Sequence, residues 1–124
     1  MTTEEETKKT LNEADLSGFT GTEQWYKHWL GPLYTDGVKY VADQAGAYWL
    51  IDEIVLAQHS KKVRNEAFQH WVLKVDLEHK RGTLTADDGN DNVIFSKVIE
   101  YTDFCLSQIR FYFTDNVILL PSEY

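Results

Sequence analysis

Residues 70–79 read HWVLKVDLEH, and this stretch decides the fold. Trp71, Leu73, Val75 and Leu77 share one parity while Val72, Lys74, Asp76 and Glu78 share the other, as on a strand with one side buried. Upstream the spacing is helical. Thr35 or Asp36 is placed to cap a helix whose Val38, Val41, Ala42 and Ala45 lie on one face, and Gly46 suits its C-terminal stop. A second helix follows at once, with Ala47, Leu50, Ile51, Ile54 and Ala57 on one face. Trp49, Val55 and Leu56 widen its apolar arc until only Asp52, Glu53 and Gln58 mark a wet side, which predicts a central place in the core.

Beyond residue 79 the pattern stays at period two. His79-Lys80-Arg81-Gly82 reads as a turn into a strand through Leu84, and the polar run Asp87 to Asn92 leads to a strand from Val93 to Tyr101. With Asp115-Asn116 as a two-residue loop, Thr114 faces Val117, Phe113 faces Ile118 and Phe111 faces Leu120, so the apolar pairs share a face. The expectation is an α+β domain: an N-terminal helical hairpin packed on a C-terminal antiparallel meander of about four to five strands.

The stretch 18–33 admits two readings. Thr20-Gly21-Thr22-Glu23 has capping-box spacing and Gly31-Pro32 would end a helix. Yet Trp25, Lys27 and Trp29 alternate with Gln24, Tyr26 and His28 as on a strand. In residues 1–16 only Leu11 and Leu16 offer apolar anchorage, and the Glu4/Lys8 and Glu5/Lys9 spacings are too weak to hold an isolated helix. We therefore expect a flexible acidic arm over 1–16 and a single domain over 17–124.

Composition narrows the function classes. The chain has 124 residues, 43% of them hydrophobic and 14% aromatic, which predicts one soluble globular domain with a real core. Twenty acids against twelve bases give a net charge of −8, a field that repels phosphate backbones and anionic lipid, so no nucleic-acid or membrane partner is expected. The densest basic run, Lys61, Lys62 and Arg64, follows a helix and complements its carbonyl end. A helix-turn-helix reading of the two helices fails on chemistry, because AYWLIDEIVLAQ carries two acids and no base for a phosphate. Cys105, the lone cysteine, precludes an internal disulfide, and its place between Phe104 and Leu106 leads us to expect a buried, inert thiol. The polar N-terminus lacks the basic start and apolar stretch of a secretory signal, and the predicted location is cytoplasmic.

Sites were sought among the polar residues. Asp87 to Asn92 lacks the spaced carboxylates and closing Glu of a calcium loop and reads as a solvated turn. His28, His59, His70 and His79 show no zinc spacing; His70 and His79 have opposite parity, and each reads as a surface or strand-edge imidazole. No metal and no cofactor is implied. One constellation remains: Tyr26, His28, Tyr34 and Asp36, with Asp52 near in sequence, gather hydrogen-bonding groups in the irregular stretch before the first clear helix. If these side chains formed a site, His28 would lie within hydrogen-bond reach of a carboxylate beside an apolar pocket.

The blocks FTGTEQWYKHW, LYTDGVKYVADQAGAYWLIDEI and FYFTDNVILLPSEY, in this order, resemble a family of small uncharacterised bacterial proteins, often cyanobacterial, known as a domain of unknown function. The resemblance runs from Gly18 to Tyr124. It implies a compact bacterial domain and carries over no catalytic or binding residue. The reading that follows is a non-catalytic cytoplasmic binding or interaction module, with a protein partner or a second copy of the chain as its ligand. The alternative is a small enzyme or ligand-binding protein with a site near Tyr26, His28, Asp36 and Asp52.

Overall fold

A computed structural model describes residues 11–124. The helical period gives α2 (Asp36–Ala45) and α3 (Tyr48–Ala57), flanked by the short helices α1 (Glu13–Leu16) and α4 (Lys61–Arg64). Thr35 caps α2, its hydroxyl accepting from the Val38 N–H at 3.4 Å. Gly46 ends the helix in the left-handed region at φ 62°, where a side chain would be strained, and its N–H reaches back to the Ala42 carbonyl. Arg64 folds over the end of α3, its guanidinium 3.4 Å from the His59 carbonyl, as expected of a cation at a helix C-terminus.

The change to period two gives β3 (Phe68–Asp76), β4 (Arg81–Asp87), β5 (Val93–Ile99), β6 (Gln108–Thr114) and β7 (Val117–Leu119). Asp115 and Asn116 both take left-handed conformations, φ 53° and 64°, which set the Thr114–Val117 and Phe113–Ile118 pairs. Leu120 lies past the end of β7 and opens a single 3₁₀ turn, Pro121–Glu123, so the expected Phe111–Leu120 pair does not form. Leu77 and His79 are likewise outside the strand expected over 70–79: β3 stops at Asp76, whose carboxylate accepts from the Glu78 and His79 N–H groups and closes the turn. Only His70 is on the strand, so strand parity does not set the direction of His79.

The sheet is larger than expected and mixed. Its seven strands run β1-β2-β7-β6-β3-β4-β5, adding β1 (Trp25–Lys27) and β2 (Leu33–Thr35), and β2 pairs with β7 in parallel. Of the two readings of 18–33, the strand holds for Trp25–Lys27, and within the Thr20–Glu23 segment the Thr22 hydroxyl donates to Gln24 O and Asp36. The meander holds only for β3-β4-β5; β6 returns to the free side of β3, whose nine residues pair with β4 on one side and β6 on the other. A four- or five-stranded meander was expected because period two identifies strands without identifying their neighbours.

Helices α2 and α3 cover one face of this sheet. Leu50, Ile54, Val38 and Val41 pack among Trp71, Leu73, Leu84, Phe111 and Ile118, all essentially without solvent exposure. Leu11 is buried in this core and Leu16 packs against it, while the Glu4/Lys8 and Glu5/Lys9 spacings lie outside the described residues. No helix among the described residues is long and apolar enough to cross a membrane.

Candidate functional site

The β1–β2 hairpin stands at the sheet edge in front of α2 and α3. Its loop is closed by two backbone bonds, His28 N–H to Pro32 O at 2.8 Å and Gly31 N–H to His28 O at 2.9 Å, with Gly31 at φ 118°. The Leu33 N–H donates to Asn116 O, which fastens the hairpin to the β6–β7 turn. The expected candidate residues are thereby brought to one side of the hairpin, but as two adjoining groups.

The first group centres on Asp36. Its carboxylate accepts from the Glu23 N–H (3.1 Å), the Tyr26 hydroxyl (3.0 Å), the Gln24 N–H and the Thr22 hydroxyl. The Glu23 N–H is the largest influence on this carboxylate and, with the Tyr26, Gln24 and Thr22 donors, outweighs partial desolvation to hold it below the ordinary range. These contacts border an open depression of about 700 Å³ shared by Phe19, Lys39, Tyr40 and Asp43.

The second group centres on His28, which is 7% exposed and so no surface imidazole. Its Nδ1 accepts from the Leu30 N–H at 3.1 Å, which places the proton of the neutral ring on Nε2, 2.7 Å from Asp52 Oδ1. The contact between His28 and a carboxylate that a site here would require is therefore present, and a cleft of about 290 Å³ opens beside it between Trp29, Tyr34, Tyr48 and Ile51. Both ring nitrogens are engaged, however, and the ring holds no free lone pair for proton abstraction. Trp29 stacks on His28 with centroids 5.8 Å apart and remains 81% exposed.

Between the groups, Tyr26 and Tyr34 are cross-strand neighbours stacked at 5.7 Å, and Lys39 lies 5.4 Å above the Tyr26 ring. Lys39 also pairs with Asp43 at 2.7 Å, and the Tyr48 hydroxyl donates to the same carboxylate. Burial pushes Asp43 up, but the Lys39 and Tyr48 hydrogen bonds prevail and hold it low. Burial and the Asp43 hydrogen bond push the Tyr48 phenol up to about 12. A phenol that titrates later folded than unfolded lends stability that is complete below its ordinary value of 10.0 and drains away as pH climbs toward 12. Comparing thermal midpoints of the native chain and Tyr48→Phe from pH 9 to 12 should show a shallower alkaline decline in the variant; parallel declines would refute this account.

Lys39, Asp43, Tyr48 and Trp29 complete the surface without having been singled out in the sequence. The Lys39/Asp43 spacing was a readable signal for one contact. Nothing in the spacing signals Tyr48 or Trp29 as groove residues, because their roles depend on where the hairpin docks.

Taken together these features define an α+β protein with a seven-stranded mixed sheet, two helices on one face and an aromatic groove carrying Lys27 and Asp52 at the sheet edge. The chain belongs to a family of unknown function, DUF6876, whose model matches residues 10–124. The match begins ahead of Gly18 and takes in Leu11 and Leu16, the two residues that fasten the N-terminal segment to the core. No curated protein and no solved structure matches the chain.

Proposed function

We propose that this is a non-catalytic, cytoplasmic bacterial binding module that takes a basic segment of a protein partner into the groove between the β1–β2 hairpin and α2–α3. The observation that carries this reading is Trp29. A tryptophan 81% exposed yet held by stacking on a buried histidine is a preformed contact surface, with little side-chain freedom left to lose on binding. Around it Tyr34 and Tyr48 supply further aromatic surface, and Asp52, with a side chain 54% exposed, supplies the cleft's one carboxylate, with Lys27 as its one lysine. A lysine or arginine side chain laid over Trp29 with its cation toward Asp52 satisfies both. The full engagement of the His28 nitrogens supports binding over catalysis, and Tyr26, Tyr34, Asp36 and Asp52 act as the frame and wall of the groove.

Titration of the protein with ten-residue peptides, one rich in lysine and arginine and one rich in glutamate, followed by tryptophan fluorescence, tests this. The basic peptide should bind saturably, more weakly as salt rises. Trp29→Ala should weaken it about 30-fold or more, the cost of losing an aromatic hot spot, at an unchanged thermal midpoint. Asp52→Asn keeps an acceptor for His28 and should lose affinity through charge alone. Equal binding of both peptides, or indifference to Trp29→Ala, would end the proposal.

A further inference from the structure

The opposite edge of the sheet is formed by β5, whose seven residues VIFSKVI include a single charge. Among the described residues no strand pairs with its outer side. Natural sheets blunt such an edge with outward charge, proline or distortion, because its free N–H and C=O groups accept any extended chain. Here Lys97 is drawn onto α3, its Nζ 2.8 and 3.0 Å from the two oxygens of Glu53. Val93 and Val98 remain 57% and 52% exposed, and Ile94, Phe95 and Ile99 are only partly covered. One distortion is present, a register shift between Ala86 and Asp87 opposite the start of the strand, and pairing is regular from Phe95 to Ile99.

We infer that β5 is a self-pairing edge, and that two copies of the chain join by antiparallel addition of β5 to β5 about Ser96. Residues facing each other across an antiparallel pair point to the same side of the sheet, so a two-fold axis between identical strands must pass through one residue and its own copy. Ser96 is the middle of the seven residues and gives complete overlap. It sets Phe95 against Lys97 of the second copy, Ile94 against Val98 and Val93 against Ile99. The strand is close to a palindrome of apolar residues about this point, which is what an isologous contact requires. Centring on Lys97 would face two ammonium groups, and centring on Phe95 would run onto the irregular end of the strand. The axis stands perpendicular to the sheet, so the helices of both copies lie on the same side. The grooves at the β1 edges stay open at the two ends of the assembly.

Size-exclusion chromatography with light scattering on the full chain at micromolar concentration should give twice the monomer mass, and Val98→Lys should return it to monomer with an unchanged far-ultraviolet circular dichroism spectrum. In a Cys105→Ser background, Ser96→Cys should form a covalent dimer on mild oxidation, because the two copies of that position meet at the axis. Glu100→Cys, with a side chain 89% exposed just past the strand, should cross-link far more slowly. A monomer at every concentration would overturn the inference, since the edge would then serve another occupant. So would a dimer that survives Val98→Lys and cross-links no faster through Ser96→Cys than through Glu100→Cys, since the contact would lie on another face.

Discussion

Gln69→Leu should lower the unfolding free energy by about 3–5 kcal/mol, although it exchanges a polar side chain for an apolar one of similar size inside the core. Gln69 lies on the inward face of β3 and is 1% exposed. Its Nε2 donates to Val63 O at 2.8 Å, to Gln58 Oε1 at 2.9 Å and to Glu66 O at 3.2 Å. Its Oε1 accepts from Gln58 Nε2 and from the indole N–H of Trp71. One amide thus joins the end of α3, the α4 segment and the central strand. Leucine would leave the Trp71 N–H without a partner in a place water does not reach and take from Gln58 Oε1 its Gln69 donor, and each such orphan costs about 1–3 kcal/mol, while the Val63 carbonyl keeps the Glu66 N–H at 3.0 Å. Urea unfolding of the two proteins measures the difference. A loss under about 1 kcal/mol would mean that the network relaxes onto other partners and that the account of it is wrong.

Glu123→Ala should cost about 2–3 kcal/mol, from a residue that contributes no apolar packing. The Glu123 carboxylate accepts from the Thr35 hydroxyl at 2.6 Å, from the Leu120 N–H at 2.9 Å and from the Gly37 N–H at 3.2 Å. It therefore lies against the first turn of α2, where unpaired N–H groups and the positive end of the helix dipole favour an anion. Glu123→Gln, which keeps the oxygen but not the charge, should recover part of the loss. Gly37 leaves room for this docking: a Cβ there would stand 2.6 Å from Leu120 Cδ1 and 2.8 Å from Glu123 Oε1. Gly37→Ala should accordingly destabilise the native chain more than it destabilises the Glu123→Ala variant. Thermal unfolding of the four proteins in a double-mutant cycle reads the coupling, and strict additivity would contradict it.

Much of the architecture was legible because its signals are local. The switch of period near Phe68, the Thr35 cap, the Gly46 stop and the Asp115-Asn116 turn each depend on neighbours within a few residues. What could not be read depends on distant pairing. Strands of three residues such as β1 and β2 have almost no pattern of their own, and they exist because β2 lies beside β7, some eighty positions later. The same holds for the place of β6 next to β3. In the candidate site, residue type pointed to His28 and Asp52 as neighbouring candidates, but neither their contact nor the burial of His28 was legible, since the docking of the hairpin decides both. Gln69 escaped notice because it lies just ahead of the strand expected over 70–79 and looks, in one dimension, like an ordinary polar flank.

The parallel pairing of β2 with β7 also orders events in time. While the chain is being synthesised, α2, α3 and the β3–β4–β5 meander have all their contacts with each other available before residues 117–119 have been made. The hairpin that carries Trp29 must wait for them, with β1 as its one neighbour along Leu33 and Tyr34. The groove proposed for a basic segment would thus be completed only once residues 117–119 have emerged from the ribosome.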